Sequence, residues 1–274
     1  SGPRDAVMPG HGVMSVKLGP VHWRLRSNQK GTGVVSLPTR SRGTKSVALT
    51  YDDGPSDKSG ELVRLLLEEG ATATFFVTAE NCTQRPEALA LISAVPGLEI
   101  ANHSYTHPNL THLDEPMLER EVAGSKRAIE QTISRRVALF RPPEGQHDVR
   151  VRRAVADSGQ AIIMWSLTSM DWKKERRPYV ASTVVRQCRS GDIVLLHDWG
   201  TSDLEASRAI IRRLKRRGYS FVTVTELLGD VVPGEVYRGR VAPWWVFVRR
   251  AQGRFVYWRR LIAARARRER GKHD

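Results

Sequence analysis

Two adjacent carboxylates and two nearby imidazoles are the side chains of this chain whose spacing suggests chemistry. Asp52 and Asp53 follow an apolar run and precede the turn signal Gly54-Pro55. His103 and His107 stand four residues apart. Together with one of the aspartates, the two histidines form a set that suits zinc or another borderline divalent metal with open coordination positions. The other aspartate would then be free to take a proton from a water at the metal.

An arginine, a third histidine and a third aspartate extend this chemistry. Arg141 opens the sequence Arg-Pro-Pro-Glu-Gly, and a guanidinium beside the free aspartate would hold that carboxylate ionised and oriented. His197 ends an apolar run and is a candidate acid, with Asp171 as the acceptor that keeps its ring protonated. Trp172 offers a flat apolar wall suited to a sugar ring or a methyl group. Each residue alone also has an ordinary interpretation as a surface or core residue.

The elements that must position these residues alternate between strand-like and helix-like patterns. Apolar strand-like runs occupy residues 47–50, 73–78, 98–101, 138–141, 161–165, 192–196 and 221–224. Amphipathic helical patterns occupy residues 62–69, 87–95, 117–133, 151–158, 180–188 and 206–217. This alternation predicts βαβ units and a mostly parallel sheet. We therefore predict an α/β fold, an irregular (β/α) barrel of about seven parallel strands, with a doubly wound open sheet as the alternative.

The polar residues singled out above follow the ends of five of these strands. In chain order they are Asp52, Asp53, His103, His107, Arg141, Asp171 and His197. The carboxyl ends of parallel strands meet on one face of a barrel, which is where such folds hold their active sites. Unrelated surface turns would not need this agreement. The sequence therefore predicts an active site at the carboxyl ends of the strands.

With these residues in place, the chain resembles the polysaccharide deacetylases of the NodB-homology type, carbohydrate esterase family 4. The resemblance covers roughly residues 44–230 and rests on five motifs in family order. They are Thr50-Tyr51-Asp52-Asp53-Gly54-Pro55, His103-Ser104-Tyr105-Thr106-His107, Arg141-Pro142-Pro143-Glu144-Gly145, Ser169-Met170-Asp171-Trp172 and Leu195-Leu196-His197. Each motif is weak alone, but the five in order are specific.

The resemblance implies a role for each matching residue. Asp52 would be the catalytic base, oriented by Arg141, and His197 the general acid, supported by Asp171. The metal ligands would be Asp53, His103 and His107. Substrate contacts would come from Tyr51, Pro142, Pro143, Glu144, Trp172 and Leu195, with the backbone N–H of Glu144 facing the oxyanion.

Three positions depart from the usual family pattern. Tyr51 stands where Phe is commoner, Glu144 stands where Tyr is frequent, and Thr168 replaces an aspartate before the fourth motif. None of the direct metal or acid–base positions is changed, which argues against an inactive homologue. The departures instead put the substrate contacts near Glu144 and Thr168 in question.

The expected function is metal-dependent hydrolysis of N-acetyl groups on amino-sugar polymers, that is, peptidoglycan- or chitin-type glycans. Zn²⁺ is the expected ion, with Co²⁺, Ni²⁺ and Mn²⁺ as other candidates. The same chemistry on acetylxylan, a lipid-linked sugar or an acylated small biosynthetic molecule remains an alternative. A basic nucleic-acid or membrane-binding module is the alternative of another class. It rests only on the formal net charge of +15 and needs none of the five motifs.

The ends of the chain differ in composition from the middle. We expect an N-terminal arm or strap over residues 1–44, a deacetylase domain over 45–230, and a basic, aromatic-rich appendage over 231–274. Residues 244–258 fit either a helix or a hairpin, and their aromatic stripe would pack against the barrel with its arginines in solvent. Alternatively, the appendage would suit an anionic membrane or wall polymer rather than nucleic acid. No apolar run reaches the roughly 18 residues of a membrane span. The first residues show no signal-peptide pattern, so an extracytoplasmic or cell-surface location is expected from the resemblance alone.

Overall fold

The computed structural model describes residues 14–18, 21–25, 45–173 and 179–239. The strands of this part are β1 (Met14–Leu18), β2 (Val21–Leu25), β3 (Lys45–Gly54), β4 (Ala73–Val77), β5 (Leu98–Asn102), β6 (Leu139–Phe140), β7 (Ala161–Ile163), β8 (Leu167–Thr168), β9 (Asp192–His197), β10 (Tyr219–Phe221) and β11 (Val236–Tyr237). The helices are α1 (Ser59–Glu68), α2 (Ala79–Gln84), α3 (Pro86–Ala94), α4 (Glu115–Glu119), α5 (Ser125–Ile133), α6 (Val149–Asp157), α7 (Val180–Gln187), α8 (Thr201–Arg216) and α9 (Val224–Leu228). A π-helical turn, Arg120–Gly124, joins α4 to α5.

Nine of these strands form one curled parallel sheet. Its order is β11-β7-β6-β5-β4-β3-β9-β8, with β10 pairing with the start of β3. Each pair in this sheet is parallel, because a helix or a loop returns the chain between successive strands. The predicted irregular (β/α) barrel is confirmed.

Two short strands and one helix are examples of elements that differ from the predicted ones. Strands β8 and β11 have two residues each, which is too short for a periodic pattern, so neither was predicted. The run 221–224 was predicted as a strand, but Val224 begins α9. There the hydroxyl of Thr223 accepts the backbone N–H of Glu226, and the Glu226 carboxylate accepts the N–H of Thr223. This capping box ends the strand and starts the helix.

Strand β3 shows how the sheet separates the apolar core from the barrel interior. Val47, Leu49 and Tyr51 belong to the large apolar cluster formed with the surrounding helices. Ala48 belongs to a smaller cluster, to which β4, β5, β6, β7 and β9 each give one residue. Since alternate residues of a strand face opposite sides, Asp52 continues the interior face that begins at Ala48.

Both aspartates lie inside β3, which runs to Gly54 rather than ending at the predicted residue 50. The register between β3 and β4 is irregular between Asp52 and Gly54, and Asp53 has a φ of 69°. A bulge of this kind turns a side chain that regular alternation would send to the opposite face. It explains how two adjacent carboxylates reach one site.

The ends of the chain add two observations. Strands β1 and β2 pair antiparallel, with Met14 opposite Leu25 and Leu18 opposite Val21, in a region where the sequence shows no sustained periodicity. Strand β11 pairs with β7, so the sheet extends beyond residue 230, the expected end of the deacetylase domain. The aromatic stripe 244–258 and the basic tail lie outside the described residues.

Two further structural points concern the cysteines and the lengths of the helices. Cys82 and Cys188 are both buried and form no disulfide, and burial raises the pKa of the Cys82 thiol. Among the helices that the structure describes, none has both the length and the apolar character needed to cross a membrane.

Candidate active site

Asp53, His103 and His107 meet at the mouth of the barrel. Oδ1 of Asp53 lies 3.3 Å from Nε2 of His103 and 3.3 Å from Nε2 of His107. The three potential ligand atoms lie within 4.8 Å of one another. Oδ1 of Asp53 is buried and has no hydrogen-bond partner. An orphaned buried oxygen that faces two imidazole nitrogens is the arrangement expected of a cation site.

The tautomer of His103 is compatible with metal binding. Its Nδ1 lies 2.7 Å from the backbone oxygen of Arg141, so Nδ1 carries the proton and Nε2 presents its lone pair to the site. The His103 side chain is 3% exposed and that of His107 is 37% exposed. One side of the site is therefore open to solvent and could admit a water or a substrate oxygen. The residues fit a divalent metal ion.

Electrostatics of this set favour one positive charge among the three groups. Burial opposes ionisation of Asp53, but His103, His107 and His197 outweigh it and lower its pKa to about 2. Burial lowers the pKa of His103, yet the charges of Asp52 and Asp53 raise it by more. Burial and the neighbouring His103 lower the pKa of His107. The ionised carboxylate of Asp53 therefore attracts a cation. His103 and His107 lie too close together for both rings to be protonated and supply that charge.

Asp52 forms an ion pair with Arg141 next to the three potential metal ligands, Asp53, His103 and His107. Nη1 of Arg141 lies 2.6 Å from Oδ1 of Asp52 and 2.8 Å from the hydroxyl of Thr50. Its Nε donates to the backbone oxygen of Ile163 at 3.0 Å, and its guanidinium carbon lies 3.9 Å from the ring centroid of Phe76. Arg141 is fully buried and Asp52 nearly so. Removing either partner would leave the other as a buried charge without a counter-charge, so each group holds the other in place.

Asp171 and His197 form a second pair. Oδ1 of Asp171 lies 2.7 Å from Nδ1 of His197, and Oδ2 accepts the backbone N–H of the same histidine at 2.8 Å. Burial lowers the pKa of His197, but the hydrogen bond and charge of Asp171, with smaller contributions from Asp52 and Asp53, raise it overall. Asp171 thus holds both the ring and the backbone of His197, and its effect on the pKa lets the ring keep its proton to higher pH than a free histidine.

Two tryptophans flank the His197 ring. The ring of Trp199 stacks on it with centroids 4.2 Å apart and 23° between planes, whereas Trp172 meets it edge-on at 5.6 Å. Both indoles remain partly exposed, Trp172 at 38% and Trp199 at 45%. Trp199 was not predicted as a site residue, although its place two residues after His197 was a usable signal.

The backbone of the site is unusual in conformation. Six non-glycine residues of the described chain have positive φ, and five of them lie in the motifs that carry the resemblance. These five are Asp53, Ser104, His107, Glu144 and Met170. Such conformations cost about 1–3 kcal/mol each and persist only where surrounding contacts impose them. Their concentration at the barrel mouth indicates that the side-chain geometry here is fixed at the expense of local backbone energy.

The loop after the two aspartates is held by Asp198, which sequence reasoning missed. The Asp198 carboxylate accepts the hydroxyls of Ser56 and Ser59, and its N–H donates to the backbone oxygen of Asp52. A Cβ at Gly54 would lie only 2.9 Å from Oδ2 of Asp198, so glycine is required there. Asp198 follows His197 directly, one position beyond the fifth motif.

The residues predicted to contact the substrate differ in whether they are exposed at the site. Tyr51 does not face the site: it is fully buried, and its hydroxyl lies 3.0 Å from the Ser207 hydroxyl of α8. The alternation of β3 puts it on the face opposite Asp52, so its prediction as a substrate-binding residue is wrong. Glu144 and Trp172 are exposed at the mouth, and the remaining three predicted contacts are buried. These are Pro142, Pro143 and Leu195.

Comparison with known proteins assigns this chain to a family. The family model described as polysaccharide deacetylase matches residues 39–163. A peptidoglycan-N-acetylglucosamine deacetylase of Bacillus cereus is 32% identical over 210 residues, which cover 74% of this chain and 97% of that protein. The chain belongs to the polysaccharide deacetylase family. The resemblance carried by the five motifs is therefore confirmed.

Two further proteins are similar to this chain in structure or over part of their length. A family 4 carbohydrate esterase from Streptomyces lividans, solved with acetate, matches with a TM-score of 0.62 at 31% identity, covering 69% of this chain and 98% of that one. A bifunctional xylanase/deacetylase of Pseudobutyrivibrio xylanivorans is 29% identical over 82% of this chain, which spans only 36% of that protein's length.

Proposed function

We propose that this polysaccharide deacetylase hydrolyses N-acetyl groups on amino-sugar polymers of the peptidoglycan or chitin type, with one Zn²⁺ held by Asp53, His103 and His107. The observation that carries the proposal is the buried, unpartnered Oδ1 of Asp53, which faces two imidazole nitrogens. Beside it lies a second carboxylate, Asp52, already paired with Arg141. A ligand carboxylate and a base carboxylate next to each other are what metal-assisted hydrolysis requires.

The metal would supply Lewis acidity that polarises the acetyl carbonyl and eases deprotonation of a water. Asp52 accepts the proton of the attacking water, and its contact with Arg141 orients its carboxylate for this role. The backbone N–H of Glu144 donates to the oxyanion that develops as water adds to the carbonyl carbon. His197 then gives its proton to the amide nitrogen while the carbon–nitrogen bond breaks. The products are acetate and a free amino sugar.

The Asp171–His197 pair favours amides over esters as substrates. An amide nitrogen must be protonated before it can leave, whereas an alcohol is a better leaving group without full protonation. A histidine whose pKa is raised by a buried carboxylate keeps its proton to higher pH than a free histidine, which suits it to the role of proton donor. O-deacetylation, as on acetylxylan, uses the same residues with less need for this acid and is the second candidate.

The substrate class suggests a partner surface and a location. The Bacillus cereus relative is named for peptidoglycan, a polymer outside the cytoplasmic membrane, so action in the extracytoplasmic space is part of the proposal. Binding of an anionic wall polymer or membrane surface through the basic end of the chain rests on its arginine content alone.

The test combines metal analysis with acetate release. The full chain, stripped by a chelator, should release no acetate from N-acetylglucosamine oligomers, and added Zn²⁺ should restore release. Acetylxylan, tested beside the oligomers, should be the poorer substrate. Full activity of the stripped protein would refute the metal role, and preference for acetylxylan would replace the proposed substrate with the second candidate.

A further inference from the structure

The two histidine ligands lie on a loop that regular secondary structure does not support. Residues 103–109 are neither helix nor strand, and within them Ser104 and His107 have φ values of 71° and 66°. Non-glycine residues keep such conformations only where neighbouring groups impose them. Within the loop, the N–H of His107 donates to the Ser104 hydroxyl at 3.0 Å. The separation of the His103 and His107 rings, whose centroids are 5.0 Å apart, depends also on contacts from outside the loop.

Glu121 supplies three of these contacts from the turn between α4 and α5. Its Oε2 accepts the backbone N–H groups of Tyr105 and Thr106 at 2.8 and 2.9 Å. Its Oε1 accepts the hydroxyl of Thr106 at 2.8 Å. Glu121 is only 1% exposed. A carboxylate buried this fully is tolerated because its oxygens are satisfied, and all three donors come from the two residues midway between the histidine ligands.

The segment that carries Glu121 is itself specialised. Arg120–Gly124 is the one π-helical turn of the described residues, and such turns occur frequently at functional sites. The backbone oxygen of Val122 in this turn accepts Nδ2 of Asn102 at 3.1 Å. The hydroxyl of Ser125, just after the turn, lies 2.7 Å from both Oδ1 of Asn102 and the backbone oxygen of Ser104. The turn and the start of the histidine loop are thus joined by several polar contacts.

We propose that Glu121 is a positioning residue for the metal site, which holds the backbone of Tyr105 and Thr106 and thereby sets the spacing of the two imidazoles before the ion arrives. The inference rests on the proposed metal-dependent function. A loop without this anchor would reach the ligand geometry only at a cost in ordering, which would appear as weaker metal binding. Groups that hydrogen-bond directly to metal ligands are typically worth about 10–100-fold in metal affinity, and we expect an effect of the same order from a residue that fixes the backbone between two ligands.

The test measures zinc affinity of chelator-stripped full-length variants by competition with a chromophoric chelator. Glu121→Ala should raise the zinc dissociation constant by about 10–100-fold. Glu121→Gln should lose less, since the amide oxygen can still accept the two backbone N–H groups. Thr106→Val, which removes only the hydroxyl donor, should have the smallest effect. Circular dichroism of each stripped variant establishes that it is folded.

Glu130→Ala is the matched control. Glu130 on α5 also accepts a backbone N–H, that of Val137 at 2.7 Å, and forms an ion pair with Lys126, but it does not contact the histidine loop. This variant should keep the parental zinc affinity even where its melting temperature falls. Equal weakening by Glu121→Ala and Glu130→Ala would overturn the proposal, since the effect would then be one of general stability.

Other outcomes decide in the same way. If Glu121→Ala does not fold, Glu121→Gln and Thr106→Val carry the test, and parental zinc affinity in both overturns the proposal. Parental affinity in a folded Glu121→Ala does so directly. A parent protein that binds no zinc would refute the proposed function and, with it, this inference; a parent that binds zinc as tightly as its Glu121 variants refutes the inference alone.

Discussion

The carboxylates on the two sides of the barrel mouth differ in whether they have a hydrogen-bond partner. On the metal-ligand side, Oδ1 of Asp53 has no hydrogen-bond partner and faces two imidazole nitrogens. On the acid–base side, Asp52 is paired with Arg141 and Asp171 with His197, at 2.6 and 2.7 Å. An unpartnered buried oxygen is suited to bind a cation, whereas a carboxylate that is already paired has its direction set by its partner. The difference separates residues that bind from residues that move protons.

The largest expected effects come from replacing each of the two adjacent aspartates in turn. Asp53→Asn should lose zinc and with it all measurable acetate release, because it removes the ligand carboxylate. Asp52→Asn should retain zinc near the parental amount and lower kcat by about 10²–10⁴-fold, the usual contribution of general acid–base catalysis. Metal content by atomic emission and acetate release on the same samples check both. Loss of zinc from Asp52→Asn alone would reverse the two assignments.

A pH profile examines the second pair. Burial lowers the pKa of His197 and Asp171 raises it by more, so the net pKa lies above the ordinary value of 6.5. Activity that needs protonated His197 is present below this raised pKa and is lost as pH rises through it. Protonated His197 also stabilises the folded protein through its contact with Asp171. This contribution is fully present below the pKa that His197 has in the unfolded chain, and it is lost as pH rises through the pKa in the folded protein.

Asp171→Asn removes the largest contribution that raises this pKa, so the basic limb of kcat should move to lower pH. Asp157→Asn is a suitable control, because Asp157 belongs to an ion pair whose side chains are 84% and 75% exposed. Its profile should match that of the parent. An unmoved basic limb in Asp171→Asn would mean that another group titrates there.

The sequence predicts that the proposed acid–base and ligand residues lie close together, because their positions follow from strand order. Asp52, His103, Arg141 and His197 each belong to the carboxyl end of a parallel strand, and parallel strands bring these ends together whatever the details of packing. Tyr51 was misplaced because a motif lists neighbouring letters without showing that strand alternation sends them to opposite faces.

The supporting residues were missed for a different reason. Glu121 acts on residues 15 and 16 positions earlier in the chain, through a π-helical turn that no periodic pattern reveals. The signal available was its charge on the same helix face as Leu118, Val122 and Ile129, all three fully buried. A carboxylate at such a position must have a buried partner, but the sequence does not indicate which one.

The smallest expected effect concerns the exposed cover of the acid–base side. Trp199 stacks on His197 with one face and is 45% exposed, so its outer surface is available to a neighbouring sugar ring. Trp199→Ala should raise KM for a long N-acetylglucosamine oligomer by about threefold to tenfold, as expected for the loss of one aromatic contact. The change should be smaller for a monosaccharide, which does not reach beyond the reacting ring.

Trp199→Phe separates stacking from the other effects of a large indole. It keeps an aromatic face over His197 and should therefore retain most of the affinity for the long oligomer. If Trp199→Ala instead lowers kcat equally on long and short substrates, the indole acts on His197 and not on the sugar. Trp199 would then be a positioning residue for His197, as Asp171 is, and not a sugar-binding residue.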